Sequence, residues 1–151
     1  MSQGLRIGNE HFMKITARVE NAQDHHNVIL ATDKIRHAIS IPPKPSGMGS
    51  SVNGGELLFL ALATCYCNDI HREATKRGIE VTRVEVEVSG EFGAAGEPAR
   101  GVTYRAKVEA RASEKEIRDL MAHTDRVAEI QNSLRLGTNV TLVDADARPM
   151  T

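Results

Sequence analysis

The chain has 151 residues, of which 19 are Lys or Arg and 20 are Asp or Glu, so its formal net charge is −1. That length is enough for one domain with its own hydrophobic core. The balanced charge offers no basic surplus for phosphate contacts, and two Tyr, three Phe and no Trp leave few rings for stacking on bases. We therefore expect no nucleic acid partner.

Cysteine usage and hydropathy indicate the compartment. The longest mostly apolar stretch, residues 57–67, is well short of the roughly 20 residues that a membrane helix needs. Residues 1–10 lack the apolar run of a secretory signal. The two cysteines, Cys65 and Cys67, do not resemble the disulfide framework of a secreted domain. These features predict a soluble, cytoplasmic protein with reduced thiols and no membrane partner.

Three strands are predicted in the first third of the chain. Apolar and polar residues alternate over 13–20, which is typical of a half-buried strand. Residues 27–31 and 35–41 predict two further strands, separated by a turn at 32–34. The prolines and glycines of residues 42–49 predict an irregular linker after them.

A long helix is predicted next, over about residues 54–77. Asn53 can cap its first turn, with Glu56 three positions later as in a capping box, and Gly78 supplies a left-handed stop. Residues 57–63 are apolar on every side of the helix, which predicts complete burial of the first half. The charged second half is expected to emerge into solvent.

The rest of the chain predicts a hairpin and two helical pieces. Alternation over residues 83–89 and 102–111 indicates two amphipathic strands joined by a loop at about 93–100. Ser113 and Glu116 form a capping box for the helix that follows.

A break in that helix is expected near residues 124–125, followed by a piece with Val127, Ile130 and Leu134 facing inward, and residues 139–143 predict a last strand. This order lacks βαβ alternation and predicts a single α+β domain over residues 1–151.

Two segments resemble a known family. Residues 53–65, Asn-Gly-Gly-Glu-Leu-Leu-Phe-Leu-Ala-Leu-Ala-Thr-Cys, are similar to the active-site helix of the OsmC/Ohr family, the osmotically inducible and organic hydroperoxide resistance proteins. The family pattern there is roughly Asn-Pro-Glu-Glu-Leu, then small and apolar residues, then Ala-Cys. Residues 130–134 and 139–142 resemble the family's second helix and last strand. The element order agrees across nearly the whole chain.

The resemblance implies an OsmC-like α+β fold of antiparallel sheets around a long buried central helix, in an intertwined homodimer with two reactive sites at the interface. It also implies a redox role in the stress response, namely peroxidase activity on organic hydroperoxides without a cofactor. In that cycle Cys65 attacks the peroxide and becomes a sulfenic acid. A second cysteine then closes a disulfide, which an external thiol reductant opens.

Three positions depart from the family pattern. The family's second cysteine aligns with Ala128, and no cysteine follows Cys67. The family glutamate aligns with Gly55, although Glu56 is adjacent. The family's reactive-site arginine has no counterpart in the amino-terminal strands, where residues 23–26 stand instead. The two-cysteine cycle therefore does not transfer whole.

The candidate catalytic residues are Cys65, Cys67 and Glu56. Cys65 lies in mid-helix, so its activation needs a nearby cation; without one it is an inert buried thiol. Cys67 is the candidate replacement for the resolving thiol, but residues two apart on a helix point about 200° apart. Cys67 would act only after local melting or across a dimer; otherwise it is a packing residue. Glu56 either caps the helix or orients an arginine.

Two further hypotheses remain open. Cys67 with His71, and Cys65 with Asp69, lie four positions apart and would share helix faces, as metal ligands do. No Cys-x-x-Cys motif completes such a set, so no metal is predicted. The alternative to a peroxidase is a non-catalytic OsmC-like dimer that binds a small apolar ligand at its interface.

Overall fold

A computed structural model of the protein describes residues 12–150. It has the mixed α+β composition that the sequence predicts, with two antiparallel sheets. The chain forms two compact units, one ending at Gly54 and one beginning at Gly55. The assignment of the whole chain to a single domain stays a prediction. In chain order the elements are β1 (Ile15–Ala22), β2 (His25–Thr32), β3 (Ile35–Ile39), α1 (Gly54–Lys76), β4 (Glu80–Glu91), β5 (Arg100–Arg111), α2 (Glu114–Val127) and α3 (Glu129–Arg135).

The first unit contains the antiparallel sheet β1–β2–β3. Asp24 and Asp33 adopt positive φ angles of 56° and 52° at its two turns, and the Asp33 carboxylate accepts a hydrogen bond from the Lys14 amide at 3.1 Å. The prediction of a half-buried first strand was wrong, because all eight residues of β1 are exposed. Within residues 12–54 no helix or second sheet packs on this strand to bury its apolar side.

The long helix α1 lies where the sequence predicts it, and Arg72 and Lys76 in its second half are exposed as expected, but the rest of its burial differs from the prediction. Gly78 ends it with a φ of 66°, as expected. Leu60, in the half predicted to be buried, is 59% exposed. The buried residues lie mainly in the charged half: besides Leu62 they are Tyr66, Asp69, Ile70, Glu73 and Ala74. Carboxylates can be buried there because neighbouring cations pair with them.

The core of the second unit lies between α1, α2 and the inner face of the β4–β5 hairpin. The Tyr66 and Tyr104 rings meet edge to face with centroids 5.1 Å apart. The Tyr66 hydroxyl donates a hydrogen bond to the Met121 carbonyl at 2.9 Å, which satisfies its polar end. The buried cluster comprises Tyr66, Ile70, Ala74 and Leu120, and the hairpin packs Val84, Val86, Tyr104, Ala106 and Val108 against it.

Local signals set the start of α2 but not the break after it. The capping box of Ser113 and Glu116 is present in both directions, at 2.8 and 3.2 Å. The break falls at Ala128, later than predicted, where the backbone is extended between α2 and α3. Ile130 and Leu134 are exposed instead of facing inward, because the buried face of this short helix carries Gln131.

The predicted last strand is absent from the described residues. Residues 138–150 form no helix or strand, and Val140 and Leu142 are 97% and 84% exposed. Alternation alone does not make a strand, since a strand also needs a neighbouring strand to pair its backbone groups. Among residues 12–150, no helix is long and apolar enough to cross a membrane.

A close approach between α1 and β4 generates the first prediction. A Cβ atom on Gly90 would lie 2.8 Å from Cζ of Phe59, whose ring stacks on Phe92. We expect Gly90→Ala to lower the free energy of unfolding by about 1–3 kcal/mol through overpacking. Gly54→Ala is the matched control, because a Cβ there meets nothing within 4 Å. Urea unfolding followed by circular dichroism measures both; unchanged stability of Gly90→Ala would contradict this packing.

Candidate active site around Cys65

The Cys65 thiol lies between two carboxylates. Its sulfur is 3.6 Å from Oδ2 of Asp69, one turn further along α1, and 3.7 Å from Oε2 of Glu129, the first residue of α3. The side chain is partly exposed. Among residues 12–150, the recorded partners of the thiol are therefore carboxylates, neither the cation that favours a reactive thiolate nor the apolar shell of an inert thiol.

These surroundings favour the protonated thiol. Burial raises the pKa of Cys65 above its ordinary value of 9.0. A backbone hydrogen bond with Ile130 opposes the shift, and the negative charges of Asp69 and Glu129 add to it. At neutral pH the sulfur carries its proton and can donate it to either carboxylate.

Arg72 pairs with both of the carboxylates that contact the sulfur. Nη1 of Arg72 lies 3.1 Å from Oδ1 of Asp69 and 2.8 Å from Oε1 of Glu129. Arg72 thus joins α1 to α3 and stabilises the two negative charges that flank Cys65. The sequence predicts that an active thiol needs a cation beside it; Arg72 instead pairs with the carboxylates that contact the thiol.

The two carboxylates differ in their environments. The side chain of Asp69 is 8% exposed and that of Glu129 is 60% exposed. Burial raises the pKa of Asp69 to about 6, with Glu129 adding to the shift and Arg72 opposing it. Burial also acts to raise the pKa of Glu129, but its hydrogen bonds with Asp69 and Arg72 outweigh this and lower it. Of the pair, Asp69 is therefore the one that holds a proton more readily.

Beside this cluster, the Glu73 carboxylate accepts hydrogen bonds from three side chains. Its side chain is 6% exposed and accepts from Nε of Arg72 at 2.9 Å, Nζ of Lys76 at 3.1 Å and Nε2 of His123 at 3.2 Å. The hydrogen bonds from Arg72 and Lys76 lower the pKa of Glu73 to about 2. The contact with His123 ties α1 to α2. Sequence hydropathy placed this glutamate on a solvated face.

The other two predicted catalytic residues lie elsewhere on α1. Cys67 is partly exposed with a free thiol, and the helix is continuous through both cysteines. Glu56 is in the first turn, about 13 Å along the helix axis from Cys65 at 1.5 Å per residue. Their roles as resolving thiol and arginine-orienting carboxylate stay predictions.

The structure brings together a different set of possible metal ligands from the pairs that the sequence suggests. The ligand atoms of Cys65, Asp69 and Glu129 lie within 4.8 Å of one another, and neither Cys67 nor His71 belongs to a group of three donors among residues 12–150. The Arg72 guanidinium already pairs with both carboxylates, so its charge opposes a second cation at this position.

Sequence reasoning missed the functional combination of Asp69, Glu129 and Arg72, although it paired Cys65 with Asp69 as candidate ligands. One signal was present: Glu129 directly follows Ala128, the position aligned with the family's second cysteine.

Comparisons with known proteins agree with this architecture. The model of the family described as OsmC-like protein matches residues 47–143. The chain belongs to the OsmC-like family. An OsmC-like protein from Mycoplasma pneumoniae is 18% identical with a TM-score of 0.59, over 83% of this chain and 89% of that one. An OsmC-like protein of unknown function from Vibrio cholerae is 14% identical with a TM-score of 0.53, over 82% and 93%. No curated protein matches.

These OsmC-like structures share the fold with this chain. The position of Ala128 bears on the two-cysteine cycle that the sequence resemblance implies. Ala128 is fully buried where α2 meets α3, next to the glutamate that contacts the Cys65 sulfur. At this position, where the sequence resemblance predicts the family's second cysteine, the chain has a methyl group beside the site. Among the described residues, Cys65 and Cys67 are both free thiols.

The OsmC-like chain also has an apolar cavity in its second unit, with a volume of about 680 Å³. Gln131 lies at its wall; its amide donates to the Leu62 carbonyl at 2.9 Å, while its buried Oε1 has no hydrogen-bond partner among the described residues. Leu62 precedes Cys65 by one helical turn. The lining is mainly apolar: Leu58, Leu62, Phe92, Pro98, Ala99, Val102 and Leu134 contribute, with Tyr104, Gln131 and Arg135 as polar members.

The Glu73 cluster generates the second prediction. The pKa of Glu73 is about 2, against an ordinary value of 4.5. The contribution of the Glu73 carboxylate to stability is therefore complete above pH 4.5 and is lost as the pH falls toward 2. We expect Glu73→Gln to lower the free energy of unfolding at neutral pH, and the difference from wild type to shrink at about pH 3. Urea unfolding at the two pH values measures this.

Glu87→Gln serves as the control, because Glu87 is an exposed residue of β4 and its replacement is expected to change little at either pH. A deficit of Glu73→Gln that is equally large at both pH values would contradict the account of this cluster.

Proposed function

We propose that this OsmC-like protein is a thiol-dependent peroxidase that reduces organic hydroperoxides with Cys65 as the nucleophile. Family membership and the place of Cys65 in the segment that resembles the active-site helix support the assignment. The observation that carries it is the partly exposed thiol with proton acceptors at 3.6 and 3.7 Å. A peroxide can approach such a sulfur, and a neighbouring carboxylate can accept the thiol proton.

The chemistry needs an external thiol. The sulfur attacks the terminal oxygen of the hydroperoxide, the O–O bond breaks, and the products are a sulfenic acid on Cys65 and an alcohol. One reductant thiol then forms a mixed disulfide with Cys65 and releases water. A second reductant thiol displaces Cys65 and leaves as a disulfide. With Ala128 in place of the second cysteine, this route replaces the internal disulfide, and the reducing cytoplasm is its proposed setting.

We also propose the intertwined homodimer that the family resemblance implies. Its support is apolar surface that the single chain leaves exposed. Ile15 and Val19 of β1 are 68% and 60% exposed, and Val143 in the tail is 89% exposed. Ile15 and Val19 belong to the first unit and Val143 to the second, and a partner subunit would cover such side chains.

The third prediction tests the peroxidase directly. With cumene hydroperoxide and dithiothreitol, the wild type should consume peroxide and Cys65→Ser should fall to the uncatalysed rate, because the serine hydroxyl cannot cycle through a sulfenic acid. Cys67→Ser is the matched control and should retain turnover. Intact-mass measurement after peroxide and a limiting monothiol should show the monothiol attached to Cys65.

An inactive wild type, or activity that survives Cys65→Ser, would refute the proposal. A Cys65–Cys67 disulfide in place of the mixed disulfide would instead assign the resolving role to Cys67.

The apolar cavity favours a second candidate function, binding of a small apolar ligand without turnover. The volume of about 680 Å³ lies in the range of small-molecule pockets, and the walls are largely apolar. The sequence-based hypothesis placed such a ligand at the dimer interface, whereas this cavity is formed within the second unit of one chain.

The fourth prediction concerns this cavity. Decanoic acid titrated into the protein under native mass spectrometry should bind, and Leu134→Gln should weaken binding by about tenfold, because a cavity wall loses its apolar contact. Leu136→Gln is the control, since Leu136 is 85% exposed and outside the lining. Equal affinity in both variants, or no binding at all, would count against the second function.

A further inference from the structure

Reduction of a hydroperoxide at Cys65 requires that one proton leave the thiol and that one proton reach the leaving group. The leaving group is an alkoxide, which is a strong base and departs readily only when it is protonated. The nucleophile has the opposite need, since it must lose its proton before or during attack. A single group that takes the thiol proton and returns it to the alkoxide would solve both needs.

Two groups are close enough to the sulfur to serve. Oδ2 of Asp69 is 3.6 Å and Oε2 of Glu129 is 3.7 Å from it. Other charged groups face Asp69 as well: Arg72, from the same helix, pairs with its second oxygen at 3.1 Å, and Glu129 faces it from α3.

Burial and position distinguish the two carboxylates. Asp69 is on the same helix face as Cys65, one turn away, and its side chain is 8% exposed, so bulk water has little access to a proton held there. Glu129 is 60% exposed and holds Arg72 at 2.8 Å. A proton on Glu129 would exchange with bulk water, and the Glu129 carboxylate pairs closely with Arg72. Glu129 is therefore a poor proton carrier.

From this geometry we propose that Asp69 is a catalytic residue, the proton relay of Cys65. As the sulfur attacks the terminal peroxide oxygen, the S–H proton moves to the Asp69 carboxylate. As the O–O bond breaks, the same proton passes to the departing alkoxide oxygen. The sulfur loses two electrons, the O–O bond is reduced, and the terminal OH remains on sulfur as the sulfenic acid. The relay rests on the proposed peroxidase function.

The acid–base properties of Asp69 suit this role. Its pKa, raised to about 6 by burial with a contribution from Glu129, lies close to neutral pH. A relay works best when its pKa is near the operating pH, because it is then mostly ionised yet still gives up the proton easily. A carboxyl group held much lower in pKa would accept the thiol proton less readily.

The fifth prediction uses two reactions of the same sulfur. Asp69→Asn should slow sulfenic acid formation with cumene hydroperoxide by about 100-fold, the size expected when an acid–base group is lost. The same variant should react with iodoacetamide as fast as wild type or faster. Alkylation uses the fraction of the sulfur that is already ionised, and iodide leaves without a proton, so this reaction needs no relay. Removal of a negative charge beside Cys65 raises that ionised fraction. Single-turnover rates followed by intact mass measure both reactions.

The controls separate the relay from a structural effect. Asp119→Asn, which removes an exposed carboxylate of α2 paired with Lys115, should change neither rate. Asp69→Glu keeps a carboxyl group and should react with hydroperoxide faster than Asp69→Asn. The wild-type hydroperoxide rate should fall as the pH drops through about 6, and this dependence should be absent in Asp69→Asn.

The two proposals fail in different ways. A wild type that does not react with hydroperoxide would overturn both the peroxidase and the relay. An active wild type whose Asp69→Asn variant reduces hydroperoxide as fast or faster would overturn the relay alone, because the carboxylate would then only suppress the thiolate. Equal rates for Asp69→Glu and Asp69→Asn would also overturn it.

Discussion

Arg72 places one guanidinium among three carboxylates, at 3.1 Å from Asp69, 2.9 Å from Glu73 and 2.8 Å from Glu129. Two of these carboxylates are buried, and an unpaired buried carboxylate would cost more free energy than most single contacts recover. The pairing allows the charged half of α1 to pack against the hairpin and α2. It also holds α3 against α1, so the same cation organises both the core and the surroundings of Cys65.

This arrangement determines the chemistry open to the thiol. An arginine beside the sulfur would stabilise a thiolate, as the resemblance to the OsmC/Ohr family leads one to expect. In this chain the arginine pairs with carboxylates that themselves contact the sulfur, so the neutral thiol is favoured. Attack on a hydroperoxide, whose alkoxide product must be protonated, is therefore proposed to be coupled to proton transfer through Asp69, which lies 3.6 Å from the sulfur. Ala128, which the sequence resemblance aligns with the family's second cysteine, directly precedes the Glu129 that contacts the sulfur.

Much of the fold follows from local signals that act within a few residues. Ser113 with Glu116 starts α2, and Gly78 stops α1, because capping and a left-handed residue depend only on near neighbours. The burial of α1 did not follow. Asp69 can be buried with its charge because Arg72 pairs with it, and Glu129, which holds the same guanidinium, lies far away in the sequence. Residues 139–143 alternate like a strand, but the described chain provides no strand to pair with them.

The position of Cys65 could be predicted from its segment, whereas its electrostatic state could not, since that state depends on which charges the fold brings to the sulfur.

The rate of Cys65 alkylation as a function of pH, measured by mass spectrometry in a Cys67→Ser background, tests the account most directly. We predict that the thiolate forms with a midpoint above the ordinary value of 9.0. A midpoint near or below neutral pH would mean that a cation reaches the sulfur, and it would contradict the carboxylate-centred site described here.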